Sequence, residues 1–266
     1  MEEEYKIEEE KKIEIDPLIE EIAEKRLGFS TNNCPGCGPQ LGLKLALQEI
    51  GNCILVNSSG CMAELGLPNS IHCGLNAVAG ASAISRVFGE GINVLCYAGD
   101  GATNINLQAV IAAAERNDNV IYICYNNQGY CYMGKAFKKL KSIARSIPAS
   151  YVATASIGYP EDYVQKIRKA LSIKGFRFIE LFSPCPVILG SDTSNTVAIA
   201  RLGVETGLWP LYEIEKRRLS LTYKPSKLEP MERYFELQDK SKPSDEGLQV
   251  LQQRIDKRWE ALSRKS

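Results

Sequence analysis

Between Ile54 and Ile214, short apolar runs recur, each closed by small or polar residues and followed by a helical stretch. Strands are read at Ile54–Asn57, Val94–Ala98, Val120–Tyr125, Tyr151–Ala155, Phe176–Phe182 and Leu211–Ile214. Helices are read at Gln40–Ile50, Gly74–Phe88, Leu107–Arg116, Glu161–Leu171 and Asn195–Thr206. Near-continuous apolar strands alternating with helices predict an α/β fold, a mostly parallel sheet with helices on both faces. In such a sheet, functional groups belong at the carboxyl ends of the strands. Three segments follow: an N-terminal arm or helix over 1–27, one domain over 28–215, and a C-terminal tail over 216–266 that closes with a helix at Glu246–Leu262.

The bulk numbers exclude several partners. With 32 acidic and 32 basic side chains the chain is formally neutral, so no broad basic field exists for nucleic acid or an anionic membrane. No uninterrupted apolar run is long enough to cross a bilayer, and the Glu- and Lys-rich start is not a secretory signal. A cytoplasmic protein is expected.

The segment Gly99-Asp100-Gly101-Ala102-Thr103-Asn104 follows a buried strand and opens a helix. Glycines let a backbone approach a ligand, and free N–H groups at a helix start suit a diphosphate. Asp100 supplies a hard oxygen for Mg²⁺. A third glycine of the dinucleotide fingerprint is missing, as is a Walker lysine. One helix and one strand later, Asn127 returns to the same edge and offers a second oxygen, and the Gly129 carbonyl a third. Gly-Asp-Gly followed at this distance by Asn is a thiamine diphosphate signature, with Gly99, Asp100, Gly101, Ala102, Thr103, Asn127, Gly129 and Tyr130 as the candidate binding residues.

Nine cysteines are many for a chain of this size. Cys53, Cys73, Cys96 and Cys124 read as small buried hydrophobes in strands or helices. Cys34 and Cys37 stand in a Cys-Pro-Gly-Cys loop, Cys61 follows Ser58-Ser59-Gly60, and Cys185 lies in Ser-Pro-Cys-Pro, the last two at strand ends. Structural zinc usually uses two close pairs, and only one is present. A redox Cys-x-x-Cys normally follows a strand. An iron–sulfur cluster accepts one close pair plus two distant cysteines.

These motifs, with Glu205–Glu213 (Glu-Thr-Gly-Leu-Trp-Pro-Leu-Tyr-Glu), resemble the thiamine-binding beta subunit of 2-oxoacid:ferredoxin oxidoreductases of the pyruvate synthase type, from about Asn32 to Glu215. The resemblance implies a [4Fe-4S] cluster on Cys34, Cys37, Cys61 and Cys185, and thiamine diphosphate held near Gly60 and Cys61 through Mg²⁺ on Asp100, Asn127 and Gly129. It implies oxidative decarboxylation of a 2-oxoacid, with electrons passing to ferredoxin and the acyl group to coenzyme A. It also implies partner subunits of alpha, gamma or delta type, one of which carries the glutamate that activates thiamine. The family often has a histidine where His72 stands, close to cofactor or substrate, which makes His72 the candidate catalytic residue; the other reading is a hydrogen-bonded histidine at a helix start. Tyr130-Cys131-Tyr132-Met133-Gly134 departs from the family's Tyr-Met-Asn-Thr-Gly, and Lys135–Arg145 is basic where the family is Thr-rich. The runner-up function is a non-catalytic iron–sulfur or zinc scaffold that retains the fold and transfers electrons.

Overall fold

The computed structural model describes residues 33–63, 67, 70–128, 142–240 and 243–264. The N-terminal arm, Gly129, Tyr130, Cys131, Tyr132 and the lysines of 135–141 lie outside the described residues.

The elements run α1 (Gly38–Ile50), β1 (Cys53–Asn57), β2 (Ser70–His72), α2 (Ala77–Phe88), β3 (Asn93–Gly99), α3 (Asp100–Ile105), α4 (Leu107–Glu115) and β4 (Ile121–Asn126). Then come β5 (Tyr151–Ser156), α5 (Pro160–Leu171), β6 (Arg177–Phe182), α6 (Pro186–Leu189), α7 (Thr196–Glu205), β7 (Tyr212–Glu215), β8 (Arg218–Leu221), α8 (Met231–Phe235) and α9 (Asp245–Ser263). One eight-stranded sheet results, in the order β2-β1-β3-β4-β6-β5-β7-β8. Strands β2 to β5 in that order pair in parallel, and β7 and β8 add antiparallel.

The reason for the parallel core is visible in the strands. β4, β5 and β6 are buried at every position, and β3 at all but its first. Alternate side chains feed two cores: Leu95 and Tyr97 of β3 join α1 and α5 on one face, while Val94, Cys96 and Ala98 join α2 and α4 on the other. From β1 the chain steps outward to β2 and then back across to β3, so the direction of winding reverses between β1 and β3. A crevice opens at such a reversal, outside the strand ends.

Four local readings change. Cys73 is not in a strand or helix; it follows β2 and is half-buried, its Sγ 2.5 Å from where a Cβ on Gly80 would stand. The helix expected from Gly74 begins at Ala77. The helix after Gly101 is two helices, broken at Asn106, whose amide nitrogen donates to the carbonyls of Leu75 and Ala102. Finally, the strand alternation does not stop at Lys216. Lys216 and Arg217 form a two-residue turn with φ of 50° and 64°, and β8 returns beside β7. Such turns favour Asn-Gly, so Lys-Arg carried no turn signal.

Among the described residues, no helix is long and apolar enough to cross a membrane.

Candidate functional site

The carboxyl ends of four neighbouring strands carry the motif residues. Gly60 and Cys61 follow β1, Gly99 ends β3 and Asp100 opens α3, Asn127 follows β4, and Cys185 lies just past β6. Parallel pairing puts all four ends on one edge, and the winding reversal between β1 and β3 sits between Cys61 and Asp100.

Asp100 and Asn127 are almost fully buried, each 5% exposed. Around them the turn is tightly tied. The Thr103 hydroxyl donates to the Gly99 carbonyl at 2.7 Å and meets the Tyr122 hydroxyl at 2.9 Å. The Asn104 amide donates to the Asp100 carbonyl at 2.7 Å. Thr103 is therefore a strut of the turn, with its hydroxyl directed inward. Ala102 is nearly buried as well. A carboxylate and a carboxamide oxygen on adjacent strand ends form a hard donor set, which fits Mg²⁺ better than a soft metal.

Cys34 and Cys37 reach the same edge through two close backbone approaches. A Cβ on Gly36 would stand 2.1 Å from the Thr193 carbonyl oxygen, and one on Gly38 2.6 Å from that of Pro184. Gly36 has φ of +67°, a conformation that glycine adopts freely. Its carbonyl accepts the Thr196 hydroxyl at 2.7 Å. The Cys-Pro-Gly-Cys loop is thereby clamped onto the loop that carries Cys185. Cys37 takes the N-cap position of α1.

Two stacked tyrosines hold the other side. Tyr97 of β3 and Tyr125 of β4 lie with ring centroids 5.0 Å apart. The Tyr97 hydroxyl donates to the Pro39 carbonyl at 2.6 Å, at the start of α1. The Tyr125 hydroxyl sits beneath the Gly60–Met62 turn, within reach of the Met62 amide and 3.1 Å from where a Gly60 Cβ would be. Together they prop the two loops bearing Cys37 and Cys61. Sequence reasoning placed both in apolar strands and gave their hydroxyls no task, because a tyrosine there gives no sign of where its hydroxyl goes.

The thiols bear on one another. Burial pushes Cys37 up to about 11, helped by its neighbours Cys61, Cys185 and Cys34. Burial also raises Cys61, with Cys185 and Cys34 adding to it and Asp100 contributing last. Four thiols that repel one another's negative charge are what a cationic, sulfur-preferring centre requires around it. None of the four forms a disulfide. Among the described residues, no three His, Cys, Asp or Glu close on a single metal ion. Cys34, Cys61 and Cys185 all act electrostatically on Cys37, so the four sulfurs lie near one another, a soft donor set of the kind iron–sulfur clusters use.

His72 ends β2, in register with Asn57, and is exposed. Its Nε2 is 3.4 Å from the Ser59 hydroxyl, two residues before Cys61. It stands on the rim of the same edge, at the end of a strand and not at a helix start.

A buried carboxylate was not singled out by sequence reasoning. Glu180, in the middle of β6, is 1% exposed. It accepts the Asn126 amide at 3.0 Å, the Ser142 hydroxyl at 2.6 Å and the Ala144 amide at 3.0 Å. Asn126 in turn accepts the Gln128 amide at 3.1 Å, and Gln128 accepts the Tyr234 hydroxyl at 3.0 Å. Glu180 thus joins the two stems, 126–128 and 142–144, of the segment between β4 and β5. Burial raises its carboxyl above the ordinary value, opposed by these hydrogen bonds. The only sequence signal was a carboxylate inside an otherwise apolar strand that also carries Arg177.

Comparison with known proteins gives the family of the chain. The sequence profile of the family described as "Thiamine pyrophosphate enzyme, C-terminal TPP binding domain" matches residues 69–181. That span contains Asp100 and Asn127 but none of Cys34, Cys37, Cys61 and Cys185. The pyruvate synthase subunit PorB of Methanothermobacter marburgensis is 38% identical, over 81% of this chain and 89% of that protein. The ketoisovalerate oxidoreductase subunit VorB of Pyrococcus abyssi is 32% identical, over 87% and 90%. A solved 2-oxoglutarate:ferredoxin oxidoreductase from Magnetococcus marinus shares the fold, with a TM-score of 0.52 at 22% identity, over 86% of this chain and 88% of that one. The chain belongs to the thiamine diphosphate-binding beta subunits of the 2-oxoacid:ferredoxin oxidoreductases, of the pyruvate synthase type.

Proposed function

We propose that this subunit carries both redox components of a 2-oxoacid:ferredoxin oxidoreductase: thiamine diphosphate held through Mg²⁺, and a [4Fe-4S] cluster beside it. The observation that carries the reading is the contact between the two donor sets. The Asn127 amide nitrogen lies 3.9 Å from the Cys61 Sγ. Asp100, Asn127 and the Gly129 carbonyl are the proposed Mg²⁺ ligands, and Cys34, Cys37, Cys61 and Cys185 those of the cluster. Gly60, Gly99, Gly101 and Ala102 would form the walls against which the diphosphate rests; Thr103 keeps the turn in shape, and Tyr130 is a further proposed cofactor-binding residue.

The reaction is oxidative decarboxylation of a 2-oxoacid, pyruvate or a relative, to carbon dioxide and acyl-coenzyme A, with two electrons leaving to ferredoxin. When bound, thiamine supplies the electron sink that lets carbon dioxide leave. The protein's part is orientation and exclusion of water. Buried Asp100 and Asn127 fix the diphosphate end. Cys61 would bring the electron acceptor to the same edge of the sheet, so that electrons travel a short way. Exposed His72, at the rim, is placed to hold or move a proton at Nε2 once a partner subunit covers it. Partner subunits of alpha, gamma or delta type complete the site, including a glutamate for which this chain has no motif.

Anaerobic reconstitution tests the reading. The subunit with its partners should reduce ferredoxin in the presence of a 2-oxoacid and coenzyme A, and the subunit alone should not. Full turnover by the isolated chain, or a complex that turns over with Asp100→Ala in place, contradicts it.

A further inference from the structure

A second polar cavity lies on the far side of Ser142 and Glu180 from Asn126. It occupies about 320 Å³ between the β5–β7 corner and α9, and its polar lining is Ser142, Arg145, Ser146, Tyr212 and Arg258. Trp209 contributes to its apolar wall. No carboxylate lines it among the described residues. β7 stands two strand spacings from β6 and three from β4 in the sheet, about 10 and 14 Å at the usual separation.

Arg258 is the residue that sets this cavity apart. One of its terminal nitrogens donates to the Gly207 and Leu208 carbonyls, at 2.6 and 2.8 Å. Its Nε is buried with no hydrogen-bond partner. No ion pair among the described residues includes Arg258 or Arg145. A largely buried guanidinium normally meets an anion, because an unpaired charge away from water is costly. The carboxylate that bears on this region, Glu180, sits behind Ser142 and is committed to its own donors. A more open groove of about 800 Å³ shares Arg145 and adds Lys216, Arg217 and Arg218, so the positive field extends outward from the cavity.

We propose that this cavity is a binding site for a phosphate-type oxyanion carried on a small organic molecule. Arg145 and the free side of Arg258 supply charge-assisted donors, for which the planar guanidinium is well matched to phosphate. Tyr212 adds a hydroxyl. The volume lies at the low end of small-molecule sites, about 300–1,000 Å³, and exceeds what an inorganic ion needs. The apolar wall at Trp209 receives the organic part.

The test uses the full chain in its assembled complex, saturated with Mg²⁺ and thiamine diphosphate so that those sites do not respond. Inorganic phosphate and phenyl phosphate are titrated by calorimetry, and crystals are soaked with tungstate, a heavy phosphate analogue. The expected result is bound tungstate between Arg145 and Arg258, and phosphate affinity weakened about tenfold in exposed Arg145→Gln, the value of one charged hydrogen bond. Arg258→Lys, which keeps the charge but not the fork, should also weaken it. Tighter binding of phenyl phosphate marks an organic ligand, and equal binding a free ion. No tungstate in the cavity, unchanged affinity in Arg145→Gln, or a partner subunit's carboxylate already filling the cavity would overturn the proposal.

Discussion

The amide nitrogen of Asn127 stands 3.9 Å from the sulfur of Cys61, so a residue proposed as a Mg²⁺ ligand touches one proposed as a cluster ligand. The two belong to strand ends separated only by β3. A change at one therefore alters the surroundings of the other. Asn127→Ala should weaken Mg²⁺–thiamine diphosphate binding by about 10- to 100-fold, the usual effect of losing support at a metal site. It should also shift the electron paramagnetic resonance spectrum of the reduced cluster. An unchanged spectrum would separate the two sites.

The clamp at Gly36 makes a second test of the cluster loop. Gly36→Ala places a methyl group against the Thr193 carbonyl in a backbone conformation that alanine resists. A cost of about 1–3 kcal/mol is expected from overpacking alone. The sheet does not depend on this loop, so the protein should retain its far-ultraviolet circular dichroism while losing bound iron. Full iron content in the variant would mean that the loop is free to move without consequence.

Glu180 gives a pH-dependent prediction. Its native pKa is raised, chiefly by burial. Between the ordinary glutamate value, about 4.3, and the raised native value, the native state binds more protons than the unfolded state. Stability from this group is therefore present at low pH and lost as pH rises through that window. Denaturant titrations across pH should show the wild type losing stability relative to Glu180→Gln as pH rises above the ordinary value, then levelling. At neutral pH, amide hydrogen exchange at Ser142–Ala144 should be faster in Glu180→Gln, because a carboxamide cannot accept all the donors that the carboxylate does. A relative stability that climbs with pH would contradict this assignment.

The turn between β7 and β8 carries two side chains at positive φ. Replacing Lys216-Arg217 with Asn-Gly should stabilise the protein by about 1 kcal/mol, since those residues suit the left-handed conformation. The urea midpoint should rise with its slope unchanged. A lower midpoint would mean that these two cations contribute more to the hairpin than their backbone strain removes.

Much of the fold could be read from the sequence because β3, β4, β5 and β6 are buried on both faces, and burial leaves an apolar run. β2, only Ser70-Ile71-His72, is a short, largely exposed edge that no run reveals. β8 was hidden because its turn lacks the residues that announce one. That the candidate residues share one sheet edge was legible for a related reason. Gly-Asp-Gly and Asn127 are separated by a helical stretch and one strand, and parallel topology returns such positions to one edge. The supports were not legible. Tyr97 and Tyr125 look like ordinary core, and their hydroxyls acquire meaning only when α1 and the Gly60–Met62 turn are folded above them. Glu180 likewise depends on Ser142 and Ala144, more than thirty residues earlier in the chain.

The central claim is that Cys34, Cys37, Cys61 and Cys185 hold one cluster beside the thiamine site. The most direct measurement is iron, sulfide and zinc content of the anaerobically purified protein, together with the spectrum of its reduced form. About four iron and four sulfide per chain are expected, with the signal of a reduced [4Fe-4S] centre, and loss of both in Cys61→Ser. Stoichiometric zinc without iron, or full iron retained in Cys61→Ser, would contradict the account.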